Sequence, residues 1–271
     1  MAIQRHLRSL NRNMPDWLDK LANNALELIA EGYYNITTKS NPCSKSLKEA
    51  ILTRKGFALI SEIKFASPSK GVIRAPGELL SIARDMEAGG VAGISILTEP
   101  NYFKGNIEFI SKVHNQIETP ILMKDINLSR VQIAAASRIG ASAILLIKTL
   151  FDRGYSQEDI HDLIQYSHSK GLEVLLEVHT KEEFLSALST DTDMIGINNR
   201  DLKTLKVDLQ VTKRILMNFQ SDNRIIVSES GVNIPEDIRF LRNSGVYAFL
   251  VGSSIMQSAN ILETIKGLVN A

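Results

Sequence analysis

From residue 57 onward, short apolar and β-branched runs alternate with longer stretches whose apolar residues recur every three or four positions. The runs predict strands near Phe57–Ile63, Gly93–Leu97, Ile121–Lys124, Ala143–Ile147, Glu173–Glu177, Met194–Ile197, Ile225–Ser228 and Ala248–Val251. The longer stretches predict helices over Leu79–Glu87, Asn106–His114, Ser129–Arg138, Ser156–His168, Lys181–Leu188, Ile234–Asn243 and Ile261–Leu268. Punctuation agrees. Pro235 before Glu236-Asp237 suits a helix start, where the rigid ring is tolerated and the dipole favours acids. Gly89-Gly90, Gly140, Gly171 and Gly245 fall where helices should stop.

Eight strands alternating with helices predict an α/β chain folded as a (β/α)₈ TIM barrel. A doubly wound open sheet is the alternative. That fold usually carries a glycine-rich turn after its first strand; here the turn is Ser67-Pro68-Ser69-Lys70-Gly71, which fits neither dinucleotide nor P-loop patterns. Residues 1–56 do not share the repeat. Trp17–Glu31 and Lys45–Arg54 read as two amphipathic helices joined by a Tyr33–Pro42 connector. They are too short to bury a core alone, so 1–56 is expected to be a helical extension packed on a 57–271 catalytic barrel.

Composition narrows the classes. The 271 residues are 44% hydrophobic and 23% charged, ordinary for a globular chain, with a formal net charge of +1. Basic residues are dispersed, so no nucleic-acid partner is expected. No apolar run reaches the roughly 18 residues of a membrane span, and the first residues lack a signal-peptide core. A cytoplasmic location with no membrane partner is therefore expected. Cys43 is the only cysteine, which excludes an internal disulfide and a multi-cysteine zinc site. Two glycosylation-like triplets, Asn35-Ile36-Thr37 and Asn127-Leu128-Ser129, read as chance matches in such a chain.

The chemistry lies where the predicted strands end. A parallel barrel gathers its C-terminal strand tips into one place. Glu62 and Lys64 stand two apart on the first strand, so both point to one face with Ile60. They read as functional groups; an ion pair sealing the barrel is the structural alternative. Lys124 ends the third strand, and a desolvated ammonium there suits acid catalysis or anion binding. Glu177 and Glu229 end the fifth and seventh strands and suit orienting a lysine or accepting a proton. His179 reads as a packed loop histidine. Asn198 and Arg200 suit hydrogen bonds to substrate hydroxyls or a carboxylate.

The last two strands run into Ser230-Gly231 and Gly252-Ser253. Small residues let backbone N–H groups approach an oxyanion, and the loops after strands seven and eight are the usual phosphate seat of such barrels. Two ordinary tight turns are the alternative. Metal-binding histidine pairs, cysteine–histidine spacing and the serine-nucleophile elbow are all lacking from the sequence, so neither metal nor other cofactor is expected.

Taken together these stretches resemble the indole-3-glycerol phosphate synthase family. The resemblance rests on Ser61–Lys64 with Ala66–Gly71, Ile94–Glu99 with Tyr102–Gly105, Pro120–Asp125, Ala143–Ile147, Glu177-Val178-His179, Ile195–Leu202, Ile226–Val232 and Phe249–Met256. It implies a phosphorylated small-molecule substrate, 1-(2-carboxyphenylamino)-1-deoxyribulose 5-phosphate, converted to indole-3-glycerol phosphate by ring closure, decarboxylation and dehydration. By resemblance Lys124 is the general acid and Glu177 the general base. Lys64 pairs with the substrate carboxylate and shares acid work, and Glu62, also catalytic by resemblance, orients Lys64 or assists proton transfer. Ser67, Asn198, Arg200 and Glu229 bind substrate, Phe103 stacks on the anthranilate ring, and Ser230, Gly231, Gly252 and Ser253 hold phosphate. The assembly implied is a monomer or weak homo-oligomer. One departure stands out: Ile126 occupies the position after Lys124-Asp125 where the family usually has Phe. A related isomerase barrel, which uses a Cys or Asp base on its first strand, and a non-catalytic ligand-binding barrel are the competing readings.

Overall fold

In the computed structural model, which describes residues 15–37, 40, 45–219 and 224–271, the eight apolar runs become eight parallel strands. They are β1 (Ala58–Ile63), β2 (Gly93–Leu97), β3 (Ile121–Lys124), β4 (Ala143–Ile147), β5 (Glu173–Val178), β6 (Met194–Asn198), β7 (Ile225–Glu229) and β8 (Ala248–Val251). Each pairs with its sequence neighbours, and β8 pairs with β1 in parallel, closing the barrel. Four strands have the expected bounds and the others differ by one residue at an end.

Alternation along each strand sorts the core into two shells. Ile60, Leu122, Leu145, Leu175, Val227 and Leu250 pack together inside the barrel. Their neighbours Leu59, Ile121, Ile144, Val174, Ile226 and Phe249 belong to the second cluster, shared with the helices. Buried on both faces, the strands read as nearly continuous apolar runs, as parallel strands do. The inner parity continues to the tips. Glu62 follows Ile60, Lys124 follows Leu122, Glu177 follows Leu175 and Glu229 follows Val227.

Local chemistry shifts several expected helix bounds. The helix expected from Ser156 begins at Ile160, because the Ser156 hydroxyl accepts the Glu158 N–H and Asp159 caps the helix through His161 N–H at 2.8 Å. The one expected from Asn106 begins at Glu108, whose N–H bonds the Asn106 side chain at 2.8 Å. Short helices over Pro100–Phe103, Lys148–Asp152, Gln210–Leu216 and Ser253–Gln257 were not anticipated. Nor was the antiparallel ribbon pairing Ala66–Ser67 with Gly71–Val72. Of the expected glycine stops, Gly140 has φ +88°, the left-handed conformation that ends a helix cheaply only in glycine.

Before the barrel lie α1 (Trp17–Ala30) and α2 (Leu47–Leu52). They meet opposite ends of it. The α2 N-cap Ser46 bonds Glu173, the first residue of β5, and Leu47 lies against Gly93, the first residue of β2. Asn24 of α1 donates to Glu99, just past the end of β2, at 2.8 Å. Cys43 and part of the expected connector lie outside the described residues. Among the described residues no helix is long and apolar enough to cross a membrane.

Candidate active site

The thirteen residues assigned to catalysis or binding in the sequence all line one cavity of about 560 Å³ at the C-terminal ends of the strands. Glu62, Lys64, Lys124, Glu177, Asn198 and Glu229 reach it from the strands' ends; Ser67, Phe103, Arg200, Ser230, Gly231, Gly252 and Ser253 reach it from the segments that follow.

The charged groups form two linked sets. Lys124 Nζ lies 3.1 Å from Glu177 Oε2 and 3.2 Å from Glu229 Oε2. Lys64 is paired with Glu62. The ion pair anticipated as a structural alternative thus exists, and both its members also face the cavity. All three carboxylates have side-chain exposures of 4% or less. So deep a cluster of charges costs desolvation energy unless its members are paired, and here anions and cations alternate.

Burial acts on each group, and its neighbours decide the outcome. It pushes the Lys124 ammonium toward neutrality, but the Glu229, Glu177 and Glu62 carboxylates outweigh it and raise the pKa above the ordinary lysine value. Burial pushes both Glu177 and Glu229 up, and they then part. Glu177 gains Lys124, a hydrogen bond from Asn198 Nδ2 at 2.9 Å and a contact with His179, and its pKa falls below the carboxylate range. The side-chain oxygens of Glu229 accept no well-aligned hydrogen bond, and the neighbouring Glu177 charge adds to burial. Its pKa is raised to about 7 even though Lys124 opposes the shift. The two carboxylates that share Lys124 thus sit in environments that push their pKa values apart.

Glycines make room for these groups. A Cβ on Gly196 would stand 2.1 Å from Glu229 Oε1, so β6 can carry no side chain there. A Cβ on Gly252 would stand 2.6 Å from Glu62 Oε1. Gly252 was read as an opening for an anion; its nearest demand in the fold is space for Glu62. Beside it, Ser230 and Gly231 both have positive φ, at 64° and 98°. Ser254 donates to Val232 O at 3.2 Å and ties the two small-residue turns together. Ser67 accepts the Lys70 N–H at 3.3 Å and holds the turn after β1.

The apolar wall was only partly foreseen. Phe103 lies on a four-residue helix whose N-cap Glu99 is fully buried and accepts the N–H groups of Asn101, Tyr102 and Phe103. Ile126 is buried and lines the cavity. Trp17, Leu18 and Leu21 of α1 also line it, as do Leu202, Leu205, Val207 and Leu209 after β6. The apolar stripe of α1 was visible in sequence as a packing face, but not what it packs on. Arg200 holds the segment after β6: its guanidinium donates to Leu205 O at 2.8 Å, and its backbone bridges Val207. Asn127 is buried and donates to Leu145 O, in keeping with a chance glycosylation match.

A closed parallel barrel with acids, bases and small-residue turns at its C-terminal mouth is the build of an acid–base (β/α)₈-barrel enzyme. Solved structures agree on the fold. A thiamine phosphate pyrophosphorylase from Pyrococcus furiosus superposes with TM-score 0.57 at 15% identity, covering 83% of this chain and 96% of that one. An N-acetylmannosamine-6-phosphate 2-epimerase from Clostridium perfringens gives 0.56 at 17%, covering 79% and 93%. Sequence similarity is narrower. The family model "Indole-3-glycerol phosphate synthase" matches residues 10–268. The protein of that name from Caldanaerobacter subterraneus subsp. tengcongensis is 42% identical over 217 residues, 79% of this chain and 82% of that protein. The Geobacillus thermodenitrificans protein is 39% identical over 231 residues, 85% and 86% of the two chains. The chain belongs to the indole-3-glycerol phosphate synthase family, and it is a carboxy-lyase of tryptophan biosynthesis acting on a phosphorylated small molecule.

Proposed function

We propose that this site closes the indole ring with Lys124 as general acid and Glu177 as general base. The observation that carries the reading is the Lys124 ammonium held between Glu177 and Glu229 on the cavity wall. In 1-(2-carboxyphenylamino)-1-deoxyribulose 5-phosphate, the ring carbon bearing the carboxylate attacks the ketose carbonyl. Lys124 gives its proton to the oxygen as charge develops there. Loss of carbon dioxide restores the aromatic ring. The new hydroxyl then leaves as water, with Lys64 sharing the acid work, and Glu177 takes the proton whose loss forms the indole double bond. A raised lysine and a lowered glutamate start the cycle in the protonation states those roles require.

The remaining residues bind. Lys64, aligned by Glu62, meets the substrate carboxylate. Asn198, Glu229 and Ser67 hold the reacting portion, with Arg200 bracing the wall. Phe103 stacks on the anthranilate ring, and Ser230, Gly231, Gly252 and Ser253 seat the phosphate. Residues 1–56 are read as an extension of one catalytic unit, not a separate domain. The enzyme is read as a cytoplasmic monomer or weak homo-oligomer, which sedimentation equilibrium tests. Steady-state assay of Lys124→Ala and Glu177→Gln tests the roles: each is expected to lose at least about a hundredfold in turnover while keeping its circular dichroism spectrum. Near-normal turnover in either folded variant removes that residue from its role.

A further inference from the structure

His179 does not line the cavity, yet its ring reaches the group proposed as base. It stands two residues past Glu177, just beyond the end of β5. Its Nε2 lies 3.2 Å from Glu177 Oε1, an ion-pair contact without hydrogen-bond alignment. On the other side Nδ1 lies 3.7 Å from Glu183 Oε2 and 3.3 Å from Thr149 Oγ1. Glu183, on the following helix Lys181–Ala187, accepts the His179 backbone N–H at 2.7 Å and the Thr149 hydroxyl at 2.6 Å. Glu183 therefore holds the histidine's backbone N–H and sets a carboxylate charge beside its ring. The His179 and Glu183 side chains are each only 12% exposed.

An imidazole between two carboxylates is held as the cation, because both ring nitrogens then carry protons that can face an anion. Burial opposes that charge, but Glu177 and Glu183 outweigh it and raise the pKa of His179 to about 9. The cations acting on Glu177 are Lys124, on the cavity side, and His179, behind it. The two sides use different oxygens. Asn198 and His179 meet Oε1, while Oε2 is left to Lys124.

We propose that Glu183 and His179 form a positioning dyad that fixes the orientation of Glu177 and keeps it ionised, so that the strength of the base is set from behind the cavity wall. The proposal rests on the reading of Glu177 as general base. Taking away the imidazolium removes a cation from beside a buried carboxylate, which moves that carboxylate's pKa up. The change starts from a value below the carboxylate range and in the presence of Glu229, which shares Lys124 with Glu177, so it is read on the Glu177 carboxylate itself.

The test joins kinetics to a titration that does not depend on turnover. His179→Gln and Glu183→Gln are expected to keep KM within about threefold, to lower kcat by about threefold or more, and to move the Glu177 carboxylate titration, followed by carbon-13 nuclear magnetic resonance, upward from its lowered value. In nuclear magnetic resonance titrations, His179 is expected to titrate well above the ordinary histidine value in the native enzyme and to fall in both Glu183→Gln and Glu177→Gln. An ordinary His179 titration, or one unchanged in Glu177→Gln, overturns the dyad. An unmoved Glu177 titration and unchanged kcat in folded His179→Gln beside an inactive Glu177→Gln overturn the dyad alone and leave the base assignment standing. Full turnover in Glu177→Gln overturns the base assignment and the dyad's catalytic part with it.

Discussion

Ile126 stands where the resemblance leads one to expect Phe, and its position is one of contact. It lines the cavity and packs in the inner cluster near Leu18, Leu21, Leu128 and Phe103. An aliphatic side chain keeps the wall apolar but gives up a ring–ring contact worth about 0.5–1.5 kcal/mol. That is about two- to tenfold in affinity. Ile126→Phe is therefore expected to lower KM by up to about that factor and to leave kcat within about threefold in steady-state assays. A higher KM would mean that Leu18, Leu21 and Leu128 already fill the space and that the larger ring overpacks it. The strand-tip residues were legible because period-two alternation carries the inward face of a strand past its end. The role of His179 was not, because it depends on Glu183 and Thr149 arriving from two different helices.

Elements, too, differ in how their positions are secured. The start of α1 is fastened to the barrel by one guanidinium. Arg153 Nη1 and Nη2 reach the two Asp16 oxygens at 3.0 and 2.9 Å, and Nη1 reaches Asp19 at 2.7 Å. Asp16 and Asp19 also cap each other's N–H groups, and the Tyr155 hydroxyl donates to Asp19 at 3.0 Å. The clasp sits beside Trp17, Leu18 and Leu21, which line the cavity. Arg153→Ala is expected to raise KM by about five- to tenfold, the equivalent of about 1 kcal/mol, with kcat little changed. Hydrogen exchange in α1 should quicken in the same variant; unchanged KM and exchange together would count against the clasp. The helix Pro100–Phe103 is held in a comparable way, by the Glu99 carboxylate, with no periodicity of its own. Four residues are too few to register a helical period, so its presence could not be read in advance.

For the molecule as a whole, burying this much charge ties stability to pH. Burial raises Asp125 to about 6 although Thr98 and the Ile126 N–H bond it, and burial raises Glu229 to about 7. Both folded values exceed the ordinary ones, so the native state binds these protons more tightly than the unfolded chain. Their contribution is fully present below the ordinary carboxylate values, near 3.8 and 4.5, and is lost as pH rises through about 6 and about 7. His179 acts in the same sense at higher pH: its contribution is complete below 6.5 and is lost as pH rises through about 9. Glu177 works in reverse, with stability lost as pH falls through its lowered value. Asp125→Asn should therefore flatten the pH dependence of stability between about 4 and 6, measured by urea unfolding. Parallel curves for variant and parent would refute that assignment.

The sequence by itself determined the alternation of strands and helices, the barrel class and the inward parity of Glu62, Lys124, Glu177 and Glu229. These are local properties: each follows from the period of apolar residues within one segment and from what stands at its end. Resemblance of motifs added the family, the substrate it implies and the readings of Phe103 and Ser67, whereas the small-residue turns were already marked by their place after the last two strands. Tertiary structure alone decided which charges meet. Glu177 and Glu229 share Lys124 because closure of the barrel brings β3, β5 and β7 tips to one place. Their different hydrogen bonding, which drives one pKa down and the other up, comes from neighbours distant in sequence. The same holds for α1, whose stripe predicts burial but not the cavity wall it completes. Contact between segments far apart in the chain depends on how they are packed, and no single segment's periodicity contains that information.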